Sequence, residues 1–402
     1  MKKALLMVGA LASAWLIAGA GPASAAPAPG PVSKANNVSS LLPNTYWTPA
    51  RFRAAKALDL PLAAPGQRHE TLAPPSTGKP QSSEAGLPTF DVNAQAINLF
   101  GAHDGRANNS EALAGPVSGV VESTVQANLT ATPTAAGSFG AYYTSSRVFP
   151  LFTGSAAPYS ADRAYPYRTV GKLFFSINGE PYLCSASVIQ RRVVATAGHC
   201  VHSGNLATGF YSDFVFVPAY RDGTAPYKAW NWRLVTTTYA WATGNDEVPN
   251  PADYAMIEFD DQPFTTGGPA VKLGNVTGWL GWQTNSLLPN HTSKLGYPCN
   301  LDACQKMQVV ASNSYQATEP NNVEYGSDAR GGSSGGPWVQ NFQVLQAGGG
   351  TGIQAGSNRV VGVTSYGYIS ETPKVQGASI LDGRWVQLFQ TVCGARSGNC
   401  SN

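Results

Sequence analysis

Charge is scarce in this chain. Only 12% of its 402 residues are Asp, Glu, Lys or Arg, about half the share found in an average soluble domain. The 26 basic and 23 acidic residues nearly cancel, leaving a net charge of +3. That balance excludes a basic protein that coats nucleic acid, and it excludes an acidic solvating tail. Cysteine is sparse as well. Six residues are too few for a miniprotein built from disulfides, but an even number suits three bridges on a large domain. Histidine is rarer still, with five. No His-x-x-x-His or Cys-x-x-Cys pattern occurs. His199 and His202 are three apart with no evident third ligand, so neither a metal nor another cofactor is expected. No repeat of fixed period is found. Past the first residues, no run is long and apolar enough to span a bilayer.

Glycine (43) and proline (29), by contrast, are abundant. They argue for strands, turns and linkers over an all-helical protein. The chain opens on Lys2 and Lys3, then an apolar run from Ala4 to Ala18, then Ala23-Ser24-Ala25. This is the pattern of a signal peptide over residues 1–25. It implies a secreted protein, extracellular or periplasmic, in a compartment where thiols oxidise, with no membrane attachment after signal removal.

Residues 26–163 contain no Cys and are rich in Ala, Pro, Ser, Thr and Gly. They read as a poorly structured propeptide or N-terminal extension. Thr48 to Leu58 starts like a capped helix, with Pro49 at its first turn. All six Cys fall in residues 164–402. Strand-like runs recur there: Val170 to Ile177, Tyr211 to Val217, Trp230 to Tyr239, Tyr254 to Phe259, Gln305 to Ala311 and Val360 to Ser365. Short strands bounded by turn residues suggest an all-β barrel or sandwich. Leu381 to Val392 is the one late helical stretch, with Val386, Leu388, Phe389 and Val392 offering an apolar face.

Three patterns carry chemistry. The first is Cys184-Ser185-Ala186-Ser187 followed by Thr196-Ala197-Gly198-His199-Cys200. The second is Asp253-Tyr254-Ala255-Met256-Ile257. The third is Gly331-Gly332-Ser333-Ser334-Gly335-Gly336-Pro337. A serine hydroxyl is a weak nucleophile at its own pKa, so Ser334 needs an adjacent base. His199 can take that proton and return it to a leaving amine. Asp253 can hold the imidazole in one tautomer. The α/β-hydrolase elbow also matches Gly332-Ser333-Ser334-Gly335-Gly336, but that fold needs a His after the Ser, and none follows Ser334. The order Asp, His, Ser of the subtilisins lacks a patterned Asp before His199.

In these three patterns the chain resembles the trypsin/chymotrypsin-like serine peptidases, over about residues 165–395. Ala164-Tyr165-Pro166-Tyr167-Arg168 and Gly296-Tyr297-Pro298 look more like the secreted bacterial glutamyl-endopeptidase branch. The resemblance implies two six-stranded antiparallel β-barrels with a short C-terminal helix. His199, Asp253 and Ser334 then form the triad, and the N–H groups of Gly332 and Ser334 form the oxyanion hole. Ser365 is implied to bond Asp253, with Ser365 and Gly367 pairing with substrate as an added strand. Partners are protein or peptide substrates, with no nucleic acid, and a monomer is expected.

Cys184 and Cys200 should pair, closing the loop that carries His199. The remaining Cys299, Cys304, Cys393 and Cys400 allow three pairings, of which proximity favours Cys299–Cys304 and Cys393–Cys400. Asp328 stands where trypsin-like enzymes carry the pocket acid that selects Lys or Arg, while glutamyl endopeptidases usually place a His where Thr364 stands. Cleavage after Lys or Arg is the first expectation and after Glu or Asp the second. Ser333 replaces the Asp that pairs with a freed N-terminus in trypsin-like zymogens, so activation is expected through removal of the N-terminal extension, with Arg147 and Arg163 as cut sites. The rival class is a protein of this fold that binds or builds without peptidase activity.

Overall fold

The computed structural model describes residues 29–36, 45–63, 79–90, 97–99, 140–148, 151–152, 159–264, 267–343, 356–368 and 374–400. The expected signal peptide lies outside them. Two antiparallel sheets dominate the architecture. The first uses β1 (Val170–Ile177), β2 (Glu180–Val188), β3 (Val193–Thr196), β4 (Ser212–Pro218), β5 (Trp230–Thr237) and β6 (Ala255–Phe259). They run in the order β5-β4-β1-β2-β3-β6, and β5 pairs with β6 to close the barrel. β1 and β2 are joined by Asn178 and Gly179, both at positive φ. That two-residue Asn-Gly turn matches the twist of the hairpin it connects. Phe174, Val194, Phe216, Val235 and Ile257 are fully buried in this unit.

The second sheet uses β7 (His291–Gly296), β8 (Gln308–Thr318), β9 (Asn322–Gly326), β10 (Pro337–Gln340), β11 (Arg359–Val363) and β12 (Val375–Ser379). Their order is β12-β9-β8-β7-β10-β11. β11 and β12 approach without a ladder: a Cβ on Gly362 would lie 3.2 Å from the Ala378 side chain. The outer strand Gly281–Gln283 extends this sheet by running parallel to β11.

The helix Gly383–Ala395 follows β12, with Asp382 as its N-cap accepting from the Arg384 N–H. Its buried face is Trp385, Leu388 and Val392. Trp385 meets Tyr254 of the first barrel edge-on at 5.5 Å, so the helix joins the end of the second sheet to the first barrel. No described helix is long and apolar enough to cross a membrane.

The expected strands are present with shifted ends. The run begun at Gln305 starts at Gln308 and continues to Thr318. Asp302, Ala303 and Cys304 all sit at positive φ just before it, a tight turn that delays the strand. All three disulfides are formed: Cys184–Cys200, Cys299–Cys304 and Cys393–Cys400.

Described pieces of the N-terminal extension are built onto the sheets. Val32–Ala35 pairs with β5, and Tyr143–Arg147 pairs with β8. The helix Pro49–Ala54 has Thr48 as N-cap, as its sequence implies. Phe52 from this helix packs edge-on against Phe174 at 5.1 Å. The two residues Lys56–Ala57 run parallel to β2. At the 163/164 boundary, Asp162 is fully buried and paired with Arg221 at 3.1 Å. The carbonyl of Arg163 accepts from the Tyr227 hydroxyl. Arg147 pairs with Asp302.

Candidate active site

β3 ends at Thr196, and the chain turns so that the N–H of Val201 and of His202 both reach the Gly198 carbonyl. The Cys184–Cys200 bridge fixes this turn to β2. It carries His199, whose side chain is 2% exposed. Asp253 lies two residues before the start of β6 and is fully buried. Its Oδ1 accepts from the His199 backbone N–H at 2.8 Å, and its Oδ2 lies 2.8 Å from His199 Nδ1. Ser365 Oγ donates to the same Oδ2 at 2.6 Å. An ionised carboxylate with several donors is held strongly in place, and with Nδ1 facing it, Nε2 is the nitrogen left for chemistry.

Ser334 lies in the turn before β10. Its carbonyl accepts from the Ser185 N–H, and the Ser185 carbonyl accepts from Thr196 Oγ1. These bonds tie the Ser334 turn to the strand end that leads into His199. A Cβ on Gly335 would fall 2.0 Å from Thr196 Oγ1, and one on Gly332 would fall 2.5 Å from the Tyr297 carbonyl. Both glycines also sit at positive φ, so only glycine allows these approaches. Among the described residues, Ser334 Oγ and His199 Nε2 are both buried without a hydrogen-bond partner.

Around Ser334 the N–H groups of Ser333, Gly335 and Gly336 are bonded to Arg330, Thr364 and Ser333 carbonyls. Among the described residues, nothing accepts from the N–H of Gly332 or of Ser334. Two neighbouring free donors beside a hydroxyl suit a developing oxyanion.

Asp328, the expected pocket acid, is half-buried. Its carbonyl accepts from Asn300, and among the described residues its buried Oδ1 has no hydrogen-bond partner. The strand residue Gln376 reaches further into this region. Its Nε2 donates to Ser333 Oγ at 2.9 Å and to the Ala329 carbonyl at 3.1 Å, and its Oε1 accepts from Ser327 Oγ at 2.8 Å. Ser333 Oγ also donates to the Arg330 carbonyl. The Ser334 turn is thus braced by local hydrogen bonds at Ser333, the residue that stands in place of the zymogen Asp. A small cavity is lined by Lys294, Ala329, Ser333, Thr364 and Gln376. Lys294 Nζ donates to the Gly326 carbonyl and lies 4.9 Å from the Trp338 ring centroid. Burial holds this amine well below the usual lysine range, opposed by the nearby Asp328 charge. Sequence reasoning missed Gln376 and Lys294, because a single polar residue in a strand carries no pattern.

Trp241, also missed, stands edge-on to His199 with ring centroids 6.0 Å apart. Burial raises the Asp246 carboxyl, which the His199 charge opposes and the Asp253 charge supports. Among the described residues, Cys184, His199 and Cys200 are close enough to suggest a metal. Both sulfurs are committed to a disulfide and offer no thiolate, so this cluster does not fit an ion.

No family model matches the chain. It is 28% identical over 207 residues to a glutamyl endopeptidase of Bacillus licheniformis, covering 50% of this chain and 58% of the relative. It is 26% identical over 188 residues to an extracellular metalloprotease of Bacillus subtilis, covering 46% of this chain and 55% of that protein. The chain thus spans little more than half the length of these relatives. Among solved structures it is similar to the protease Anisep of Arthrobacter nicotinovorans, with 25% identity and a TM-score of 0.46 over 56% of this chain and 94% of that one. A thermostable serine protease, AL20, from an extremophilic microorganism gives 26% identity and a TM-score of 0.47 over 57% of this chain and 98% of that one. The similarity to the glutamyl endopeptidase thus extends beyond the three motifs, over 207 residues.

Proposed function

We propose that the chain is the precursor of a secreted serine endopeptidase. The reading rests on one arrangement: Asp253 holds His199 Nδ1 at 2.8 Å, while His199 Nε2 and Ser334 Oγ are both left without partners. His199 Nε2 takes the Ser334 proton as Oγ bonds to the substrate carbonyl carbon. The carbonyl oxygen becomes negative and is met by the N–H groups of Gly332 and Ser334. The proton passes from His199 to the leaving amine as the C–N bond breaks. Water then repeats the sequence on the acyl-enzyme, releasing the acid and restoring Ser334. No cofactor takes part in these steps. The peptidase unit is assigned to residues 164–402, with 1–25 as signal peptide and 26–163 as propeptide.

Two preferences are in view. Cleavage after Lys or Arg is supported by Asp328 Oδ1, a buried carboxylate oxygen without a partner, which a cationic side chain could meet. Cleavage after Glu or Asp is supported by the similarity to a protein named glutamyl endopeptidase. Digestion of an unfolded protein by the secreted form, with the cut bonds read by mass spectrometry, tests activity and preference together. Cleavage lost in Ser334→Ala supports the proposal. If wild-type protein cuts nothing and takes up no serine-directed reagent, the chain is a binding or structural protein of this fold.

A further inference from the structure

Residues 56–63 lie along the residues that a substrate is expected to occupy. At one end, Lys56 and Ala57 run parallel to Tyr182 and Leu183, and the Leu58 N–H donates to the Leu183 carbonyl. Leu183 adjoins Cys184, whose disulfide holds the His199 turn. In the middle, a Cβ on Gly331 would lie 3.3 Å from the Leu58 carbonyl and 3.7 Å from Asp59 Cα. The chain therefore passes over the nucleophile turn. At the other end, the Gly367 N–H donates to the Pro61 carbonyl at 3.0 Å, and Leu62 bridges Gly367 in parallel. Leu60 rests on Gly367, 6% exposed. Ala63, 5% exposed, packs in a cluster with Trp241, Val248, Tyr366, Tyr368 and Val375. Leu62 between them points outward, 48% exposed.

The direction of this segment matters. The acyl half of a substrate is its N-terminal half. Its carbonyl oxygen must face the N–H groups of Gly332 and Ser334, and on the expected pairing of substrate with Ser365 and Gly367 this half lies along that strand. The leaving amine takes its proton from His199, so the C-terminal half departs past Cys184 and Leu183. A productive substrate therefore runs from Gly367 toward Leu183. Residues 56–63 run from Leu183 toward Gly367.

On the proposed peptidase reading, we infer that residues 56–63 are a built-in inhibitor, bound in the substrate cleft in reverse. A reversed strand can still use backbone donors and pack its side chains in apolar subsites. Its carbonyl and N–H groups are interchanged relative to a substrate, so no scissile carbonyl meets the oxyanion donors while its nitrogen meets His199. The segment fills the cleft and is not cut. This fits the burial of Ser334 Oγ and His199 Nε2. The same groove, emptied, should accept an extended peptide with small or aliphatic side chains.

The test uses the full-length chain, kept from processing by brief expression at low temperature, and a fluorophosphonate probe. Leu60→Glu with Ala63→Glu should label at Ser334 at least tenfold faster than wild type. Leu62→Glu, on the outward position, should label at the wild-type rate. Hydrogen exchange should show protected amides at Leu58 and Gly367 in wild type and in Leu62→Glu, and lost protection in the double variant. Equal labelling of all three at Ser334, or a Ser334-dependent cut between residues 58 and 63, overturns the inference and leaves the peptidase reading standing. If no form labels, the peptidase reading fails, and the exchange pattern alone decides whether the cleft is filled: an unprotected Gly367 amide in wild type overturns the inference.

Discussion

Ser365 and Asp253 are 112 positions apart in sequence and joined by a 2.6 Å hydrogen bond in the core of the site. The bond crosses from the second sheet to the first barrel and ends on the carboxylate oxygen that faces His199. Each side of the cleft thus supplies part of what fixes the imidazole. Removing one hydrogen bond to a buried charge costs about 1.5–3 kcal/mol. Ser365→Ala should therefore lower kcat about 10- to 100-fold with little change in KM. Steady-state kinetics on a peptide substrate checks this, and an unchanged kcat would remove Ser365 from the site.

Asp253→Asn should be more severe. The Asn side chain keeps the shape, but its amide nitrogen can face His199 Nδ1 and favour the wrong tautomer. The same change in a known serine protease costs about 10⁴-fold in kcat, and a loss of that order is expected here, with the fold retained by circular dichroism.

Gln376 offers a test of the local bracing. Gln376→Ala removes the donor to Ser333 Oγ and to the Ala329 carbonyl. Looser oxyanion donors should lower kcat by about tenfold or more, since losing one such donor outright costs about 10²–10³. Gln376→Asn, which keeps an amide, should recover part of the loss. Equal kcat in all three proteins would make Gln376 a packing residue only.

How much of this was legible in the sequence follows from what each feature needs. The His199, Asp253 and Ser334 motifs were visible because the chemistry demands fixed residue types with fixed neighbours. The Thr48 cap was read locally, from Thr followed by Pro at the helix start. The Val375–Ser379 strand was not foreseen, since Val-Gln-Gly-Ala-Ser has little apolar alternation and is buried through its partners. Gln376 within it was invisible for the same reason. The path of Leu58 to Ala63 depends on where the fold places Leu183 at one end of the segment and Gly367 at the other, and no local pattern encodes that.

His202 gives a pH prediction. It is buried beside Phe210, and its Nδ1 accepts from the Gly204 N–H. Burial lowers its pKa from 6.5 to about 4. Between those values the unfolded chain binds a proton that the native ring refuses, so stability rises with pH across that window and this contribution is flat above it. One pKa unit corresponds to about 1.4 kcal/mol, so acidification from pH 7 to 4 should cost on the order of 3 kcal/mol through this residue. Denaturant unfolding of wild type and His202→Gln at both pH values checks it. The variant should lose clearly less on acidification.

The Cys184–Cys200 bridge closes a sequence separation of 16. A loop of that size is worth about 3 kcal/mol in the chain-entropy model. Replacing both Cys by Ala should lower stability by about that amount, measured by urea unfolding. It should also lower kcat at temperatures where the protein is still folded, because the turn bearing His199 loses its anchor. A stability loss with full kcat would confine the bridge to a structural part.

The central claim is that Ser334 is a nucleophile activated by His199. Peptide mapping after treatment of the processed protein with a sulfonyl fluoride measures this most directly. A single adduct is expected, on Ser334, that disappears in Ser334→Ala and falls at least a hundredfold in rate in His199→Ala. An adduct on the adjacent Ser333, or one on Ser334 formed at the same rate without His199, would contradict it.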